Sequence, residues 1–221
     1  MNSMNNENRI CYIVGAGSNY GIDFKPRDND CVIAADGGTA YLEEACILPD
    51  YIIGDFDSLG YVPKGDNIIK LKVQKDDTDM MVAVKKGIEL GYDVFCIYCG
   101  CGGRLDHTVG NIQILAMLSS KGFKGYLVSK DQIFTCITDS SIEFDETAQG
   151  IISVFSYSDE AVGVTETGLK YELNNYTLNS RCPLGISNEF IGIKSKICVI
   201  KGTLLIGYTR GDNDVHNCRT R

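Results

Sequence analysis

The stretch CVIAADGG, residues 31–38, decides the fold class of this chain. Five apolar residues end at an aspartate and two glycines, and a helix-like stretch over 40–46 follows them. A short and continuously apolar run is typical of a strand that is buried on both faces, and glycine lets the backbone turn sharply where the strand ends. The segment therefore predicts one strand-to-helix unit of a parallel sheet.

The same pattern repeats along the first half of the chain. Apolar runs predict further strands over 10–14, 51–53, 68–73, 94–98 and 125–129. Helices are predicted over 80–90, with Met81, Val84 and Ile88 on one face, and over 105–118. Either Thr78 or Asp76 could cap the first of these helices. We therefore predict an N-terminal Rossmann-like α/β domain with a parallel sheet over residues 9–135.

The second half of the chain has a different character. Short β-rich runs are predicted over 150–155, 168–173, 191–194, 197–201 and 203–208, with turn residues at 174–175 and 201–202. No helical period is visible there, which is typical of an antiparallel sandwich or barrel. We predict a small antiparallel β-sandwich domain over 140–210, followed by a polar and disordered tail over 211–221.

Composition and charge exclude several classes of protein. Hydrophobic residues make up 44% of the 221 residues and charged residues 23%, which is ordinary for a globular protein. The formal net charge of -8 argues against a nucleic-acid backbone as partner. No apolar run approaches the roughly 20 residues that span a bilayer, so no membrane is expected. The polar N-terminus does not resemble a signal peptide, and we expect a cytoplasmic protein.

Aspartates are concentrated in one part of the chain. Between residues 50 and 79 the sequence contains Asp50, Asp55, Asp57, Asp66, Asp76, Asp77 and Asp79. Four acidic motifs follow predicted strands: AADGG at 34–38, IGDFDS at 53–58, KDDTD at 75–79 and GGRLDH at 102–107. Open α/β sheets bind ligands outside the carboxyl ends of their strands, and Mg²⁺ prefers a few carboxylates together with phosphate oxygens. The pattern therefore predicts a magnesium and phosphate site.

Individual residues of these motifs suit phosphate chemistry. Asp55 and Asp57 would point the same way in an extended chain and form a pair of carboxylates. Asp79 lies at a helix start, where backbone N–H groups can also meet a phosphate. Arg104 offers a planar fork to phosphate oxygens.

The same residues also have purely structural interpretations. Asp36 could simply start a turn, and the aspartate pair of the second motif could form an Asx turn. Arg104 and Asp106 could form a surface ion pair. For His107, a packed or solvent-facing position is favoured. The occurrence of acidic motifs at four successive strand ends favours a site.

Other ligand sites are less well supported. Cys96, Cys99 and Cys101 lie near His107 in sequence, but zinc sites usually bring a second CxxC or a histidine pair, so we expect buried core thiols. The glycines of GAGSNYG, residues 15–21, do not fit the dinucleotide fingerprint, because the third glycine is displaced by one residue. The chain also contains no P-loop motif.

Taken together and in this order, the motifs resemble those of the thiamine pyrophosphokinases. ADGG, GDFDS, KDDTD and GGRLDH are followed by GISNEF at 185–190 and KGTLLI at 201–206, so the resemblance runs from about residue 10 to 208. It implies Mg²⁺-dependent transfer of pyrophosphate from ATP to the thiamine hydroxyl, which gives thiamine diphosphate and AMP. It also implies a nucleotide-binding catalytic α/β domain, a thiamine-binding β domain and a homodimer with the active site at its interface.

The resemblance also implies the roles of single residues. The implied metal ligands are Asp36, Asp55, Asp57 and Asp79. The implied catalytic residues are Asp57, Asp79 and Asp106, of which Asp79 or Asp106 would accept the hydroxyl proton. The implied ATP-binding residues are Gly37, Thr78, Gly103, Arg104 and His107. The implied thiamine-binding residues are Ser187, Asn188 and Leu169, and because the chain has no tryptophan, a tyrosine or phenylalanine is the other choice for stacking on the rings.

Two other functions remain open at this point. One is a related nucleotide-dependent diphosphotransferase that acts on another hydroxylated heterocycle. The other is a non-catalytic module that binds metal or nucleotide, although such a module would tolerate the loss of one carboxylate.

Overall fold

In this computed structural model, the structure describes residues 9–54, 67–70 and 77–211. The chain divides into two compact units, unit 1 up to Asn111 and unit 2 from Ile112 onward. The predicted domain bounds, 9–135 and 140–210, stay a prediction. The predicted tail lies outside the described residues from position 212 onward. None of the helices in the described ranges is both long and apolar enough to cross a bilayer.

Unit 1 is built around parallel strands. The strands are β1 Ile10–Val14, β2 Cys31–Ala35, β3 Tyr51–Gly54, β4 Ile68–Lys70 and β5 Val94–Tyr98. The helices are α1 Gly38–Glu44, α2 Asp79–Glu89 and α3 Leu105–Ser120, the last of which continues into unit 2. The strands lie in the order β5-β1-β2-β3-β4, and each adjacent pair is parallel. The predicted parallel α/β arrangement is confirmed.

Burial on both faces explains why these strands are uniformly apolar. Every residue of β1, β2 and β5 is buried. Helix α2 packs through Met80, Ala83, Val84 and Gly87, so Val84 of the predicted face is buried, whereas Met81 and Ile88 are only half-buried.

Close approach of helix α2 to the sheet explains this shift of its buried face. A Cβ on Gly87 would lie 2.6 Å from the Phe95 ring and 2.8 Å from Cys11 Sγ, so the helix contacts the sheet where its side chain is smallest.

Unit 2 consists mainly of antiparallel strands. They are β6 Lys124–Val128, β7 Gln132–Thr138, β8 Ser141–Phe144, β9 Ile151–Ser156, β10 Glu160–Thr167, β11 Leu173–Asn179, β12 Gly185–Glu189, β13 Ser195–Cys198 and β14 Thr203–Thr209. One run of strands has the order β12-β9-β14-β7-β6, and a separate sheet has the order β11-β10-β13-β8. Their adjacent pairs are antiparallel, which confirms the predicted antiparallel character.

Two predicted strands of unit 2 are wrong. Residues 168–172 connect β10 to β11, and residues 191–194 connect β12 to β13. In the second connection Ile191 and Ile193 are each 52% exposed and flank Gly192, whose φ of 76° favours a turn. Their alternating apolar pattern therefore reflects an apolar surface and not a sheet face.

The predicted turn at 174–175 is also wrong, because both residues lie inside β11. Asn175 adopts a φ of 49°, and the pairing of β10 with β11 is irregular there. Asparagine tolerates the left-handed region, so its turn-like sequence marks a β-bulge here.

Candidate active site

The loops that follow β1 and β5 are tied to each other in unit 1. Gly15 N donates to Tyr98 O at 2.9 Å, and Gly17 N donates to Cys99 O at 2.7 Å. A Cβ on Gly17 would lie 2.5 Å from Cys99 O, so glycine is required by the approach of the two backbones. From β1 the strand order continues to β2 on one side and returns to β5 on the other, which makes this edge the topological switch point.

Asp36 lies immediately after β2 at the same edge. Its φ is 53°, a left-handed conformation that aspartate tolerates, and its N–H donates to Ile53 O at 2.8 Å. Gly37 caps helix α1, and Gly38 has no room for a Cβ against Val14 O. Backbone packing therefore fixes the position of this half-buried aspartate.

The start of helix α2 carries two more predicted residues. Thr78 is the helix cap, because its hydroxyl oxygen accepts from Met81 N at 3.2 Å. Asp79 is half-buried in the first turn, where the helix dipole favours a negative group. The neighbouring Asp77 instead forms an ion pair with Lys85 at 2.5 Å.

A buried asparagine shapes the loop that follows β5. Asn111 Nδ2, on α3, donates to Gly100 O at 2.5 Å. Gly102 and Gly103 have φ angles of 79° and 69°, and a Cβ on Gly102 would collide with the hydroxyl groups of Ser18 and Tyr20. The left-handed conformations explain both glycines, and Gly103 leaves open space around its Cα. Sequence reasoning missed Asn111, which follows the GGRLDH motif by only four residues.

Arg104 and Asp106 form a bidentate ion pair on the surface. Arg104 Nη2 lies 2.5 Å from Asp106 Oδ2, and Arg104 Nε lies 3.2 Å from Oδ1. The two side chains are 72% and 63% exposed. The hydrogen bond from Arg104 lowers the pKa of Asp106, and the carboxylate raises the pKa of Arg104. The structural alternative of a surface ion pair is confirmed, and His107 is solvent-facing.

The described residues contain only part of the predicted metal site. Asp55 and Asp57 lie outside the described ranges. Within those ranges, no three histidine, cysteine, aspartate or glutamate side chains are grouped so that they could hold a metal ion. The cysteines near β5 are buried, as expected of core thiols, and burial raises the pKa of Cys99 to about 11.

Asn188 lies at the centre of a hydrogen-bond network in unit 2. Its Oδ1 accepts from Tyr171 N at 3.0 Å and from Glu189 N at 2.9 Å. Its Nδ2 donates to Tyr171 O at 2.6 Å and to Glu166 Oε2 at 3.1 Å. The side chain is 5% exposed, and its amide oxygen and nitrogen each make two internal hydrogen bonds.

The other predicted thiamine residues lie close to this network in the chain. Ser187 is exposed, adopts a φ of 60° and donates its N–H to Ser153 Oγ at 3.1 Å. Leu169 is 2% exposed and forms a β-bridge with Phe190, so its side chain belongs to the core of unit 2. The predicted contact of Leu169 with thiamine is therefore not supported by its burial.

Two residues of this region were not singled out by the sequence. Tyr171 is 62% exposed although both of its backbone polar groups are bound by Asn188. Glu166 is 1% exposed, and burial raises the pKa of its carboxyl to about 7. A charged residue at an inward position of a β-rich run is the signal that could have identified Glu166.

Comparison with known proteins agrees with both units. Residues 26–127 match the family model of the thiamin pyrophosphokinase catalytic domain, and residues 139–204 match that of the thiamin pyrophosphokinase vitamin B1 binding domain. The chain is 32% identical over 182 residues to a thiamine pyrophosphokinase of Bacillus subtilis, an alignment that covers 79% of this chain and 85% of that relative.

Solved structures give the same result. The crystal structure of thiamine pyrophosphokinase from Bacillus subtilis matches with a TM-score of 0.82 at 27% identity, over 91% of this chain and 99% of that one. The crystal structure of thiamin pyrophosphokinase from Geobacillus thermodenitrificans matches with a TM-score of 0.78 at 26% identity, over 92% of this chain and 98% of that one. This chain belongs to the thiamin pyrophosphokinase family.

Proposed function

We propose that this protein is a thiamine diphosphokinase, which transfers pyrophosphate from ATP to the thiamine hydroxyl and releases AMP. The observation that carries the proposal is the position of Asp36, Asp79 and Arg104. They lie in one parallel α/β unit: Asp36 follows β2, Asp79 begins α2 and Arg104 lies on the loop after β5. Ligands of such sheets bind outside the carboxyl ends of the strands.

In this proposal, Asp36 and Asp79 would hold Mg²⁺ together with Asp55 and Asp57. The donor set fits this ion, because Mg²⁺ takes carboxylate oxygens, keeps several waters and is completed by substrate phosphates. When bound, Mg²⁺ would neutralise negative charge on the phosphate oxygens.

The chain's own residues would position the phosphates. Arg104 would offer two parallel N–H donors to phosphate oxygens, and Asp106 would hold the guanidinium in place. The N–H groups that begin α2 after Thr78 would donate to phosphate oxygens, and Gly103, where an added Cβ would meet no atom within 4 Å, would let a phosphate approach closely. Gly37 and the exposed His107 complete the proposed ATP site.

Of the two candidate bases, we favour Asp79 over Asp106 as the group that accepts the hydroxyl proton. The ion pair with Arg104 lowers the pKa of Asp106, which makes this carboxylate a weaker base. In the proposal Asp106 therefore acts by orienting Arg104, and Asp57 and Asp79 act at the reacting atoms.

The thiamine side of the proposal centres on Tyr171 and Ser187. Thiamine carries a cationic thiazolium ring, and an exposed tyrosine face attracts cations. Tyr171 already has Lys170 Nζ 5.6 Å from its ring centroid, so its face accepts a positive group in this structure. Asn188 and Leu169 would support this surface from below, since both are buried.

We also propose the architecture, location and assembly of the protein. Unit 1 is Rossmann-like and unit 2 is a β-sandwich. The protein is cytoplasmic and forms a homodimer with the active site at the interface. Exposed apolar side chains of unit 2 support a dimer: Leu184, Ile186, Ile191 and Ile193 are each 52% exposed. Exposed apolar surface of this kind is typical of interfaces.

The test is an incubation with ATP, Mg²⁺ and thiamine, followed by separation of the nucleotides and thiamine esters. We expect equal amounts of AMP and thiamine diphosphate. If AMP forms only when another hydroxylated heterocycle is supplied, that compound and not thiamine is the substrate. If ATP binds but no AMP forms, the protein is a non-catalytic binding module. Asp57→Asn is expected to abolish turnover with an unchanged melting temperature.

A further inference from the structure

Unit 2 contains a buried carboxyl group, Glu166, that has no role in the phosphate chemistry proposed above. Glu166 is 1% exposed, and its Oε2 accepts the hydrogen bond from Asn188 Nδ2. Its Oε1 is buried without a hydrogen-bond partner among the described residues. Burial of a carboxyl group is unfavourable, so an apolar residue would serve better if packing were the only requirement at this position.

The hydrogen bond from Asn188 to Glu166 joins two sheets of unit 2. Glu166 lies on β10 in the four-stranded sheet, and Asn188 lies on β12 beside β9. The connection from β10 to β11 is fastened to the same strand, because Lys170 N donates to Glu189 O at 3.0 Å. Tyr171 thus sits on a short connection that β12 holds at several points.

The two backbone hydrogen bonds of Tyr171 depend on the orientation of the Asn188 amide. The amide binds Tyr171 through both of its ends, with Oδ1 accepting from the N–H and Nδ2 donating to the C=O. A flipped amide would place a donor against the N–H and an acceptor against the C=O, which breaks both hydrogen bonds. A carboxylate oxygen can only accept, so ionised Glu166, whose Oε2 accepts from Nδ2, favours the amide orientation that binds Tyr171.

We infer that Glu166 is a positioning residue that acts through Asn188 to hold Tyr171 in place for the thiamine ring. This inference rests on the proposed function. Glu166 itself would contact neither the substrate nor the metal. Its effect is confined to thiamine, because the residues assigned to ATP lie in unit 1.

The experiment compares Glu166→Met with Glu166→Gln in the full-length protein. Methionine keeps the length and apolar stem of the side chain but accepts no comparable hydrogen bond, whereas the glutamine oxygen can accept from Asn188 Nδ2. Loss of one buried hydrogen bond corresponds to about a tenfold change in an equilibrium constant. Glu166→Met should therefore raise the KM for thiamine about tenfold, leave the KM for ATP unchanged, and be rescued by Glu166→Gln.

A second measurement does not depend on turnover. Hydrogen exchange of the peptide spanning residues 168–173 should be faster in Glu166→Met and unchanged in Glu166→Gln. Ser195→Ala is the matched control, because Ser195 is 3% exposed on neighbouring β13 and its Oγ makes no hydrogen bond within the described ranges. This control should change neither the KM for thiamine nor the exchange.

Two results would overturn the inference. One is a KM for thiamine in Glu166→Met equal to that of the active unmodified protein, and the other is an equal rise of both KM values. If instead the unmodified protein does not convert thiamine, the proposed function itself is wrong. The two failures are therefore distinguished by the activity of the unmodified protein.

Discussion

Unit 1 and unit 2 present their predicted functional residues in opposite ways. In unit 1, Arg104 and Asp106 are mostly exposed, and Gly103 is surrounded by open space. In unit 2, Asn188 and Leu169 are buried, and the Asn188 amide is bonded to the protein itself. The GGRLDH motif of unit 1 therefore carries side chains that are exposed to solvent, whereas Asn188 of the GISNEF motif in unit 2 is bonded within the protein and supports the surface.

The difference follows from the kind of backbone that carries each motif. Loops at the carboxyl ends of parallel strands expose their side chains to solvent, and the sheet holds the backbone of these loops in place. In the edge strand β12 the pairing with β9 is irregular between Gly185 and Asn188, and there exposed Ser187, with a φ of 60°, is followed by buried Asn188. Four substitutions test this contrast, beginning with the largest expected effect.

The replacement Asp79→Asn should show that unit 1 acts directly on the ligand. We expect kcat/KM to fall by about 100-fold or more, because the variant lacks a carboxylate that is proposed to bind Mg²⁺ and to accept the hydroxyl proton. The melting temperature should change little, since Asp79 is half-buried in the first helical turn and asparagine keeps its size and shape. Asp77→Asn is the matched control, because Asp77 is paired with Lys85, and its kcat/KM should stay near normal. Equal losses in both variants would contradict the assignment of Asp79.

The replacement Glu166→Gln tests whether the buried carboxyl group of unit 2 makes stability depend on pH. Burial raises the pKa of Glu166 from 4.5 to about 7. Between these two pH values the carboxyl group is therefore protonated in the folded protein and ionised in the unfolded chain. The stability contributed below pH 4.5 is therefore lost as pH rises through 7, by roughly 3 kcal/mol.

Urea unfolding at pH 4.5 and pH 8 checks this prediction. The free energy of unfolding of the unmodified protein should fall relative to that of Glu166→Gln between the two values, because glutamine does not titrate. A constant difference between the two proteins would show that Glu166 has an ordinary pKa in the folded state.

The replacement Arg104→Lys separates charge from geometry in unit 1. Lysine keeps the positive charge but cannot form the bidentate pair with Asp106 or offer two parallel donors to phosphate. We expect kcat/KM for ATP to fall about tenfold, with unchanged stability because the pair is exposed. Unchanged kinetics in a steady-state assay would mean that charge alone is needed.

The replacement Ser187→Gly should have the smallest overall effect of the four, and this effect should be on stability. Ser187 has a φ of 60°, which glycine adopts without strain, so the free energy of unfolding should rise by up to about 1 kcal/mol. If the hydroxyl contacts thiamine, the KM for thiamine should rise in the same variant. A more stable protein with an unchanged KM would remove Ser187 from the thiamine site.

Local sequence was enough to predict much of unit 1. Its strands are continuously apolar and its turns carry glycine, so both signals lie within a few residues of each other. The position of Asp36 after β2 and the cap at Thr78 follow from such local rules. The bidentate pair of Arg104 and Asp106 also joins residues only two apart, and it was among the expected alternatives.

The sequence by itself determined the alternation of strands and helices, the antiparallel character of unit 2 and the aspartates at strand ends. Tertiary structure alone decided that Asn188 is enclosed, that Glu166 is a buried acid and that Tyr171 is exposed. The hydrogen bond between Glu166 and Asn188 joins residues 22 positions apart on different sheets. Such a contact depends on how strands pair and pack, and no local pattern of apolar and polar residues encodes that pairing.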